Sequence, residues 1–419
     1  MIDSYRRDLA ASIAATMGDY RPDELPLTGV DHVEAWVTQF PGDWQVPILR
    51  EMDSVLRRTY LSRARHLEFV RRVIHDERLT QGNPQAFWPR TCFLEFSNKG
   101  QSQTALLEMY DAELKKLTGI GVRECGGYED RFIYVDDALF SGTQMRWALI
   151  NWIGSDAPED ACVDAALQVV CREPLTYLTQ RVSKANLESG KHVRLGELVV
   201  DKMYQVSLDN GWSGEVLRPR EDPGGEPACR LLSELAARGQ RVRWRAASTE
   251  PTNQVFSSEP GRCLLEQAFL RAGAYIKYEL KRDLPPNAWP LGYNPWPSLG
   301  FGTLVVTYGN CPNSAPLALW AGDPWYPLFP RRANRPNGAW GSSHVARQTG
   351  VEVPVDDFAD VDYSGVDEDD YGCEEDQDDY GVTSAEGEYE DEAEDEDEEE
   401  SNEPWGPPGA FFGIAWRRW

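Results

Sequence analysis

The chain has 419 residues, of which 41% are hydrophobic and 11% aromatic. This is enough apolar material for a sizeable core, and enough length for two domains or one large one. The net charge of −27 comes from one segment, because residues 351–403 hold 27 of the 69 acidic residues and no Lys or Arg. The rest of the chain has 42 acidic and 42 basic residues and is therefore neutral. An enzyme that binds a nucleic-acid template is expected to have a basic groove, so this balance argues against one.

No part of the sequence predicts secretion or a membrane anchor. The N-terminal residues 1–8 are polar, and no run approaches the roughly 18 apolar residues of a membrane span. The eight cysteines and five histidines are scattered, and no Cys-x-x-Cys pair occurs. We therefore expect a cytoplasmic protein with reduced thiols and no membrane contact. The scattered cysteines and histidines do not favour a zinc site.

Residues 1–85 are predicted to form an N-terminal helical region. Apolar residues recur at helical spacing over 31–40, 46–60 and 63–75, and Gly82-Asn-Pro84 then breaks the pattern. A helical cap that packs on the following domain is the simpler interpretation, and an independent partner-binding module is the alternative.

A strand, a polar loop and a helix follow in the next segment. Thr91–Phe96 has the composition of a strand, residues 97–102 form the loop, and residues 104–117 have helical periodicity. The loop carries Lys99 beside Gly100, a pair that can approach a phosphate or pyrophosphate closely. On its own, a Lys-Gly loop is more often a solvated turn.

The stretch from 131 to 144 carries the strongest chemical signal. Phe132–Val135 predicts a buried strand, the acidic pair Asp136 and Asp137 follows, and then comes the small-residue turn Ser141–Thr143. Residues 144–152 predict a helix. A turn of this kind directs backbone N–H groups and hydroxyls towards a phosphate, while carboxylates at the end of a strand suit ribose hydroxyls or a metal ion.

The alternation of strands and helices predicts the fold of residues 86–335. Residues 162–171 predict another strand and residues 174–187 another helix, which together indicate an α/β domain with a largely parallel sheet. Ligands of such sheets lie beyond the carboxyl ends of the strands. The loops that carry Lys99 and the aspartates should therefore converge at one edge.

The later part of the chain is less regular. Residues 193–217 are ambiguous, residues 231–239 and 262–273 predict helices, and residues 302–308 predict a strand. Asn310 and Asn313 follow in a proline-containing loop, where the simplest role of an asparagine is to form a turn with its own backbone.

Two segments close the sequence. The acidic segment 351–403 is low in complexity and predicts a disordered tail. The aromatic tip, residues 404–419, is weakly basic, and it could dock onto the protein's own body or onto a partner. The acidic segment could shield a basic partner or imitate nucleic acid.

These motifs resemble a known family. The acidic pair and the turn after it resemble the ribose-phosphate signature of phosphoribosyltransferases, although that signature often has Thr or Ser where this chain has Phe140 and Gln144. Other segments are similar to the phosphoribosyltransferase-like conflict effectors (PRTase-CE) of bacterial defence loci, over about residues 30–332. Those segments are His32–Phe40, Asn98–Gln103, Asn310–Trp320 and Pro327–Arg331.

The resemblance implies a role for each motif. The acidic pair would bind the ribose hydroxyls, act in catalysis and hold Mg²⁺; the turn after it would bind the 5′-phosphate; and the first loop would bind pyrophosphate. The implied ligand is phosphoribosyl pyrophosphate or a nucleotide, and the implied partners are proteins encoded in the same defence locus. The residues concerned are Asp136 and Asp137; Ser141, Gly142 and Thr143; Lys99, Gly100, Gln101 and Ser102; and, as a secondary set, Asn310 and Asn313.

Three hypotheses about function stay open. The first is an enzyme that acts at the glycosidic carbon of a phosphoribosyl compound. The second is a catalytically inactive nucleotide or phosphoribosyl sensor that regulates a partner protein, which the departures at Phe140 and Gln144 favour. The third interprets Tyr134–Asp137 as a reverse-transcriptase polymerase motif, but that motif requires a β-hairpin, whereas the sequence here predicts a glycine turn and a helix.

Overall fold

The computed structural model describes residues 2–20, 29–96, 101–126, 131–204, 206–207, 212–213, 215–242, 244–245, 255–280, 284–294, 298–331 and 414–415. The acidic segment 351–403 and the loop residues Lys99 and Gly100 lie outside these ranges, so the predictions made for them stay predictions.

Helices occupy both ends of the described body and alternate with strands in its middle. They are α1 (Ile2–Thr16), α2 (Val30–Val37), α3 (Gly42–Thr59), α4 (Arg63–Ile74), α5 (Glu77–Thr80), α6 (Pro84–Phe87), α7 (Gln101–Thr118), α8 (Thr143–Gly154), α9 (Arg172–Ser189), α10 (Ala228–Ala237), α11 (Glu259–Tyr275) and α12 (Leu317–Trp320). The predicted helices of the N-terminal region are confirmed as α2, α3 and α4.

The strands form one main sheet and several short pairs. They are β1 (Tyr60–Leu61), β2 (Cys92–Phe93), β3 (Arg131–Leu139), β4 (Asp160–Cys171), β5 (His192–Tyr204), β6 (Val206–Ser207), β7 (Trp212–Ser213), β8 (Ala288–Trp289), β9 (Gly292–Tyr293), β10 (Val306–Thr307) and β11 (Ile414–Ala415).

The main sheet has the strand order β11-β5-β4-β3-β2. Strands β2, β3, β4 and β5 run parallel, and only β11 is antiparallel to its neighbour. Helices α7, α8 and α9 connect the parallel strands, as such strands require. The predicted α/β domain with a largely parallel sheet is therefore confirmed.

Alternate residues of β3 face two different cores. Ile133 and Val135 pack with apolar residues of α4 and α7. Phe132 and Tyr134 pack with those of α8 and α9. Both faces of the sheet are thus covered by helices, which explains why the central strands are almost continuously apolar.

The N-terminal helices pack against the last part of the described body. The indole N–H of Trp36 on α2 donates to the carbonyl of Ala318 at 2.8 Å, and the hydroxyl of Tyr20 donates to the carbonyl of Pro330 at 2.9 Å. The short strand β1, which follows α3, pairs in parallel with β10. The helical region and residues 304–330 therefore share one core.

Two strand predictions differ from the structure. The ambiguous segment 193–217 contains the long strand β5, because its residues pair with β4 over most of their length. The strand predicted over 302–308 is reduced to β10, because its partner β1 has only two residues. In addition, Gly302 has a φ of +83°, and a side chain there would meet the carbonyl oxygen of Leu217.

A buried carboxylate shapes strand β5. Asp164 on β4 is fully buried, accepts a hydrogen bond from the backbone N–H of Glu197 at 2.8 Å, and pairs with Arg131 at 2.9 Å. The β4–β5 register shifts at this point, which forms a bulge. Only a glycine fits at position 196, because an added Cβ would lie 2.2 Å from the Asp164 carboxylate oxygen.

We predict that Gly196→Ala lowers the free energy of unfolding by about 1–3 kcal/mol, because the buried Asp164 must shift to make room. Urea unfolding measures the change. Gly154→Ala is the matched control, since a Cβ there meets nothing within 4 Å. Equal stability of the two variants would contradict the prediction.

Candidate functional site at the carboxyl edge of the sheet

The acidic pair lies inside strand β3 rather than after it. The strand continues to Leu139, because the β4 pairing persists as far as Leu139 and Val170. Consecutive strand residues point to opposite faces, so Asp136 and Asp137 have different surroundings. Asp136 is half-buried, whereas Asp137 is only 8% exposed.

Hydrogen bonds fix the Asp136 carboxylate. The hydroxyl of Tyr134 donates to Oδ2 at 2.7 Å, and the backbone N–H of Asp137 donates to Oδ1 at 2.9 Å. Both donors belong to the same strand, so the carboxylate is positioned without help from a ligand. This half-buried group is the more accessible member of the acidic pair.

Burial raises the pKa of both carboxyl groups. The loss of hydration, followed by the nearby charge of Asp136, raises the pKa of Asp137 well above its ordinary value. Loss of hydration also raises the pKa of Asp136, against the opposing effect of the hydrogen bond from Tyr134. The pair as a whole therefore holds a proton to a higher pH than an isolated, solvated carboxyl group would.

A left-handed turn joins β3 to helix α8. Gly142 has a φ of +68° and precedes the first helical residue, Thr143. A Cβ at Gly142 would also lie 3.1 Å from the side chain of Pro174, so this close approach requires glycine. The predicted turn and helix therefore follow the strand that contains the acidic pair, and Ser141, Gly142 and Thr143 are all half-buried.

The positions of Phe140 and Gln144 explain the two departures from the signature. Phe140 is buried in the core shared with the N-terminal helices, and its ring lies 6.1 Å from that of Phe301. Gln144 is exposed on the first turn of α8. Position 140 thus supplies a core contact in place of a hydroxyl, while position 144 faces solvent.

The C-terminal part of the body reaches the acidic pair through Thr307. The Oγ1 atom of Thr307 lies 3.2 Å from Asp137 Oδ2 and 3.2 Å from the carbonyl oxygen of Asn310. Asn310 therefore lies in the turn beside the pair. Asn313 is exposed. Its backbone carbonyl accepts a hydrogen bond from the backbone N–H of Tyr293 on β9, so this contact lies at the β8–β9 pair and not at the acidic pair. Of the two asparagines predicted as secondary site residues, only Asn310 lies beside the acidic pair.

Gln103 anchors the start of helix α7 at the same edge. Its side-chain amide donates to the carbonyl of Leu94 at 3.1 Å and to that of Val135 at 3.2 Å, and the side chain is only 5% exposed. Val135 immediately precedes Asp136. Gln101 and Ser102 begin the helix, and only their backbone is described. Gln103 thus attaches the C-terminal end of the predicted pyrophosphate loop next to the acidic pair.

Comparison with known protein families decides the membership of the chain. The family model PRTase-CE matches residues 33–331, from within α2 to the end of the described body. The chain belongs to the PRTase-CE family. This confirms the resemblance to phosphoribosyltransferase-like conflict effectors. No curated protein and no solved structure gives a significant match.

In this PRTase-CE protein a polar row crosses the sheet beside the acidic pair. The strand register aligns Asp137, Gln168 and Asp201 on β3, β4 and β5. The Gln168 amide nitrogen lies 3.4 Å from the carbonyl of Arg65, and Asp201 pairs with Arg72 at 2.8 Å. Helix α4 therefore covers a polar strip of the sheet, which sequence periodicity did not predict.

Lys202 is a cation at this edge that sequence analysis did not single out. Its partner across the register is Val169, which in turn pairs with Ala138, so about 10 Å separate Lys202 from the strand of the acidic pair. Burial lowers the pKa of the ammonium group, which lies 4.6 Å from the Tyr204 ring. The signal was hidden because Lys202 falls in the ambiguous segment 193–217.

A separate cavity of about 670 Å³ lies beside the far end of α8. Its lining includes Cys92 on β2 and Phe96, which follows β2. On the other side it includes Asn151 and Asp156 near the end of α8. The acidic pair precedes the first turn of the same helix, whose 12 residues span about 18 Å. The cavity therefore does not enclose the predicted phosphate turn.

The described residues hold no group of three or more His, Cys, Asp and Glu side chains that could bind a metal ion. An Mg²⁺ at the acidic pair would therefore need oxygen ligands from elsewhere. None of the helices in the described part of the chain is both long enough and apolar enough to cross a bilayer.

We predict that His66 makes the protein less stable as the pH falls. His66 is 3% exposed and packs edge-on against Tyr308, and burial lowers its pKa to about 4 despite the opposing charges of Asp19 and Asp201. Between pH 6.5 and 4 the unfolded chain binds a proton that the folded chain does not, so up to roughly 3 kcal/mol is lost.

Urea unfolding from pH 7 to pH 4 measures this loss, which His66→Gln should reduce. His75→Gln, at an exposed histidine that ends the same helix, is the matched control. If the curve of His66→Gln runs parallel to that of the unmodified protein, His66 does not carry the effect.

Proposed function

We propose that this protein binds a phosphoribosyl ligand, either phosphoribosyl pyrophosphate or a nucleotide, at the carboxyl edge of its sheet. The observation that carries the proposal is the fixed Asp136 carboxylate on the strand that leads, after Leu139, into a left-handed turn that opens a helix. Such an arrangement offers an acceptor for a diol and N–H donors for a phosphate at one place.

Asp136 is the proposed ribose ligand. Its carboxylate is half-buried and already held by two donors, so its remaining lone pairs can accept hydrogen bonds from the 2′- and 3′-hydroxyls. Asp137 supports it through its backbone N–H and anchors Thr307. Both aspartates belong to the proposed site, but their tasks differ.

The turn after β3 is the proposed 5′-phosphate site. Ser141 and Thr143 contribute hydroxyls, and Gly142 lets the backbone approach the ligand. The first turn of α8 adds backbone N–H groups and the positive end of the helix dipole. The absence of hydroxyls at Phe140 and Gln144 leaves fewer phosphate contacts than the full signature has.

Charge neutralisation at the pyrophosphate is assigned to the preceding loop and to Mg²⁺. The loop residues are Lys99, Gly100, Gln101 and Ser102, and Gln103 attaches their helix beside Asp136. Mg²⁺ commonly binds one or two carboxylates together with substrate phosphates, so the accessible Asp136 would be its ligand of the acidic pair, while Asp137 faces the other side of the strand. When bound, the ion would offset the negative charge that develops on a departing pyrophosphate.

Action at ribose C1 is the further step of the proposal. In that reaction the C1–O bond breaks, pyrophosphate leaves with the electron pair, and a nucleophile forms the new bond to C1 and releases its proton. A nucleotide would lose its base to water in the same way. The alternative is a sensor that binds the ligand and regulates a partner without turnover, which the missing hydroxyls favour.

The family supplies the biological setting of the proposal. We place the protein in an anti-phage conflict system in the cytoplasm, where it acts with proteins encoded in the same locus. The acidic segment 351–403 suits a basic partner. A polymerase role has less support, because β3 pairs only with parallel neighbours and continues into a helix instead of a hairpin.

We expect Asp136→Asn to weaken binding of phosphoribosyl pyrophosphate or a nucleotide by roughly 10- to 150-fold in the presence of Mg²⁺. The reason is the loss of charged hydrogen bonds worth about 1.5–3 kcal/mol. Isothermal titration calorimetry measures the affinity. Asp156→Asn, an exposed aspartate that lines the cavity at the far end of α8, is the matched control.

The same mixtures, analysed by mass spectrometry, separate the enzyme from the sensor. Turnover by the unmodified protein that disappears with Asp136→Asn supports action at C1. Tight binding with no turnover, even with the partner proteins present, identifies a sensor. Equal affinities of the unmodified protein and Asp136→Asn would overturn the proposed ligand site itself.

Gln144→Thr should strengthen phosphate binding. The substitution restores a hydroxyl on the exposed first turn of α8, and one additional hydrogen bond of about 0.5–1.5 kcal/mol corresponds to a 2- to 12-fold gain in affinity. Titration with ribose 5-phosphate measures the gain. Gln144→Val, which has a similar shape but no hydroxyl, is the control; an equal gain with Val would exclude the hydroxyl as the cause.

A further inference from the structure

The open edge of the sheet at β5 carries a strand from the extreme C-terminus. Ile414 pairs with Leu198 and Ala415 pairs with Glu197, in an antiparallel arrangement. Without β11, strand β5 would be the last strand of the sheet. Edge strands present unpaired N–H and C=O groups that attract other extended chains.

The pairing occurs next to the bulge of β5. The backbone N–H of Glu197 is turned inward to the buried carboxylate of Asp164, and Gly196 is required there because an added Cβ would clash with that carboxylate. Bulges locally interrupt a ladder and reorient the strand. The two residues that bind the C-terminus are therefore those that directly follow this fixed irregularity.

The composition of the C-terminus suits this position. Its last seven residues, 413–419, contain two tryptophans and two arginines and no acid, although the preceding segment 351–403 is strongly acidic. Arg417 and Arg418 follow the two pairing residues in sequence and are opposite in charge to the acidic segment. The composition around β11 thus differs from that of the acidic segment 351–403.

We propose that the aromatic tip is an internal edge strand, which occupies β5 in its own chain and competes with other extended segments for this edge. The β5 edge is then a docking surface for an extended aromatic segment, and its resident occupant is residues 413–419 of the same molecule. The sequence predicts a disordered tether, and such a tether would hold the tip at an effective concentration of about 1 mM. A free segment at micromolar concentration would therefore be excluded. This inference does not depend on the phosphoribosyl ligand.

Cysteine pairs test the register directly. Ala415→Cys combined with Glu197→Cys places two thiols directly opposite each other, about 5 Å apart at Cβ, where oxidation can link them. Ala415→Cys combined with His192→Cys is the control, because position 192 is five residues, or about 17 Å, along the strand. Peptide mapping identifies the linked residues among the native cysteines.

We expect a link within one chain for positions 197 and 415, and at least tenfold less for positions 192 and 415. A link found only between two chains, on a non-reducing gel, would assign the tip to a second copy and overturn the proposal. Equal linking of both pairs would also overturn it, because the register would then be absent.

A peptide experiment tests the competition. A labelled peptide of residues 404–419 is titrated into the full chain and into a chain that ends at Glu403, with fluorescence anisotropy as the readout. We expect it to bind the shortened chain at least tenfold more tightly, and we expect the same peptide with Ile414→Pro to bind neither, because proline disrupts the pairing.

Hydrogen exchange then locates the binding. The backbone amide of Leu198 should exchange faster in the shortened chain and recover protection when the peptide is added, whereas that of Glu197, which is bonded to Asp164, should change little. Equal peptide binding to both chains, or protection elsewhere, would refute the competition.

Discussion

The hydrogen bond between Thr307 and Asp137 is the constraint on which the arrangement of the site depends. It connects strand β3 of the sheet to a residue 170 positions further along the chain. Because β10 also pairs with β1, the same contact brings the N-terminal helices to the acidic pair. The carboxyl of Asp137 is used in this connection, and Asp136 is left as the carboxylate that can meet a ligand.

The burial of the acidic pair also changes the pKa values of its two carboxyl groups. Removing both carboxyl groups from water raises their pKa values, and the charge of Asp136 acts in the same direction on Asp137. The polar row continues from the buried Asp137 and Gln168 to the exposed Asp201 under α4. Arg72 of α4 pairs with Asp201 at 2.8 Å, and the backbone carbonyl of Arg65 lies 3.4 Å from the Gln168 amide nitrogen, so α4 supplies a partner to each residue.

Local patterns predicted the sheet and the linear order of the site, because strand, turn and helix signals depend on neighbouring residues. The sequence did not predict the contact of Thr307, the anchoring role of Gln103 or the position of Lys202. These depend on residues that are distant in the chain or, for Lys202, on a strand whose periodicity is broken by the bulge at Gly196. Strand β3 also proved longer than predicted, because pairing with β4 outweighs the poor strand propensity of aspartate.

The aromatic ring at Phe140 joins the turn of the site to the largest hydrophobic core. Because it packs against Phe301 within that core, the shape of the turn and the stability of the core are thermodynamically linked. A ligand held by the turn should therefore raise the melting temperature of the whole body. Conversely, substitutions at Phe301, which contacts no proposed ligand, should appear in a genetic screen as loss-of-binding variants. In this protein, a map of binding-defective positions would trace the core as well as the pocket.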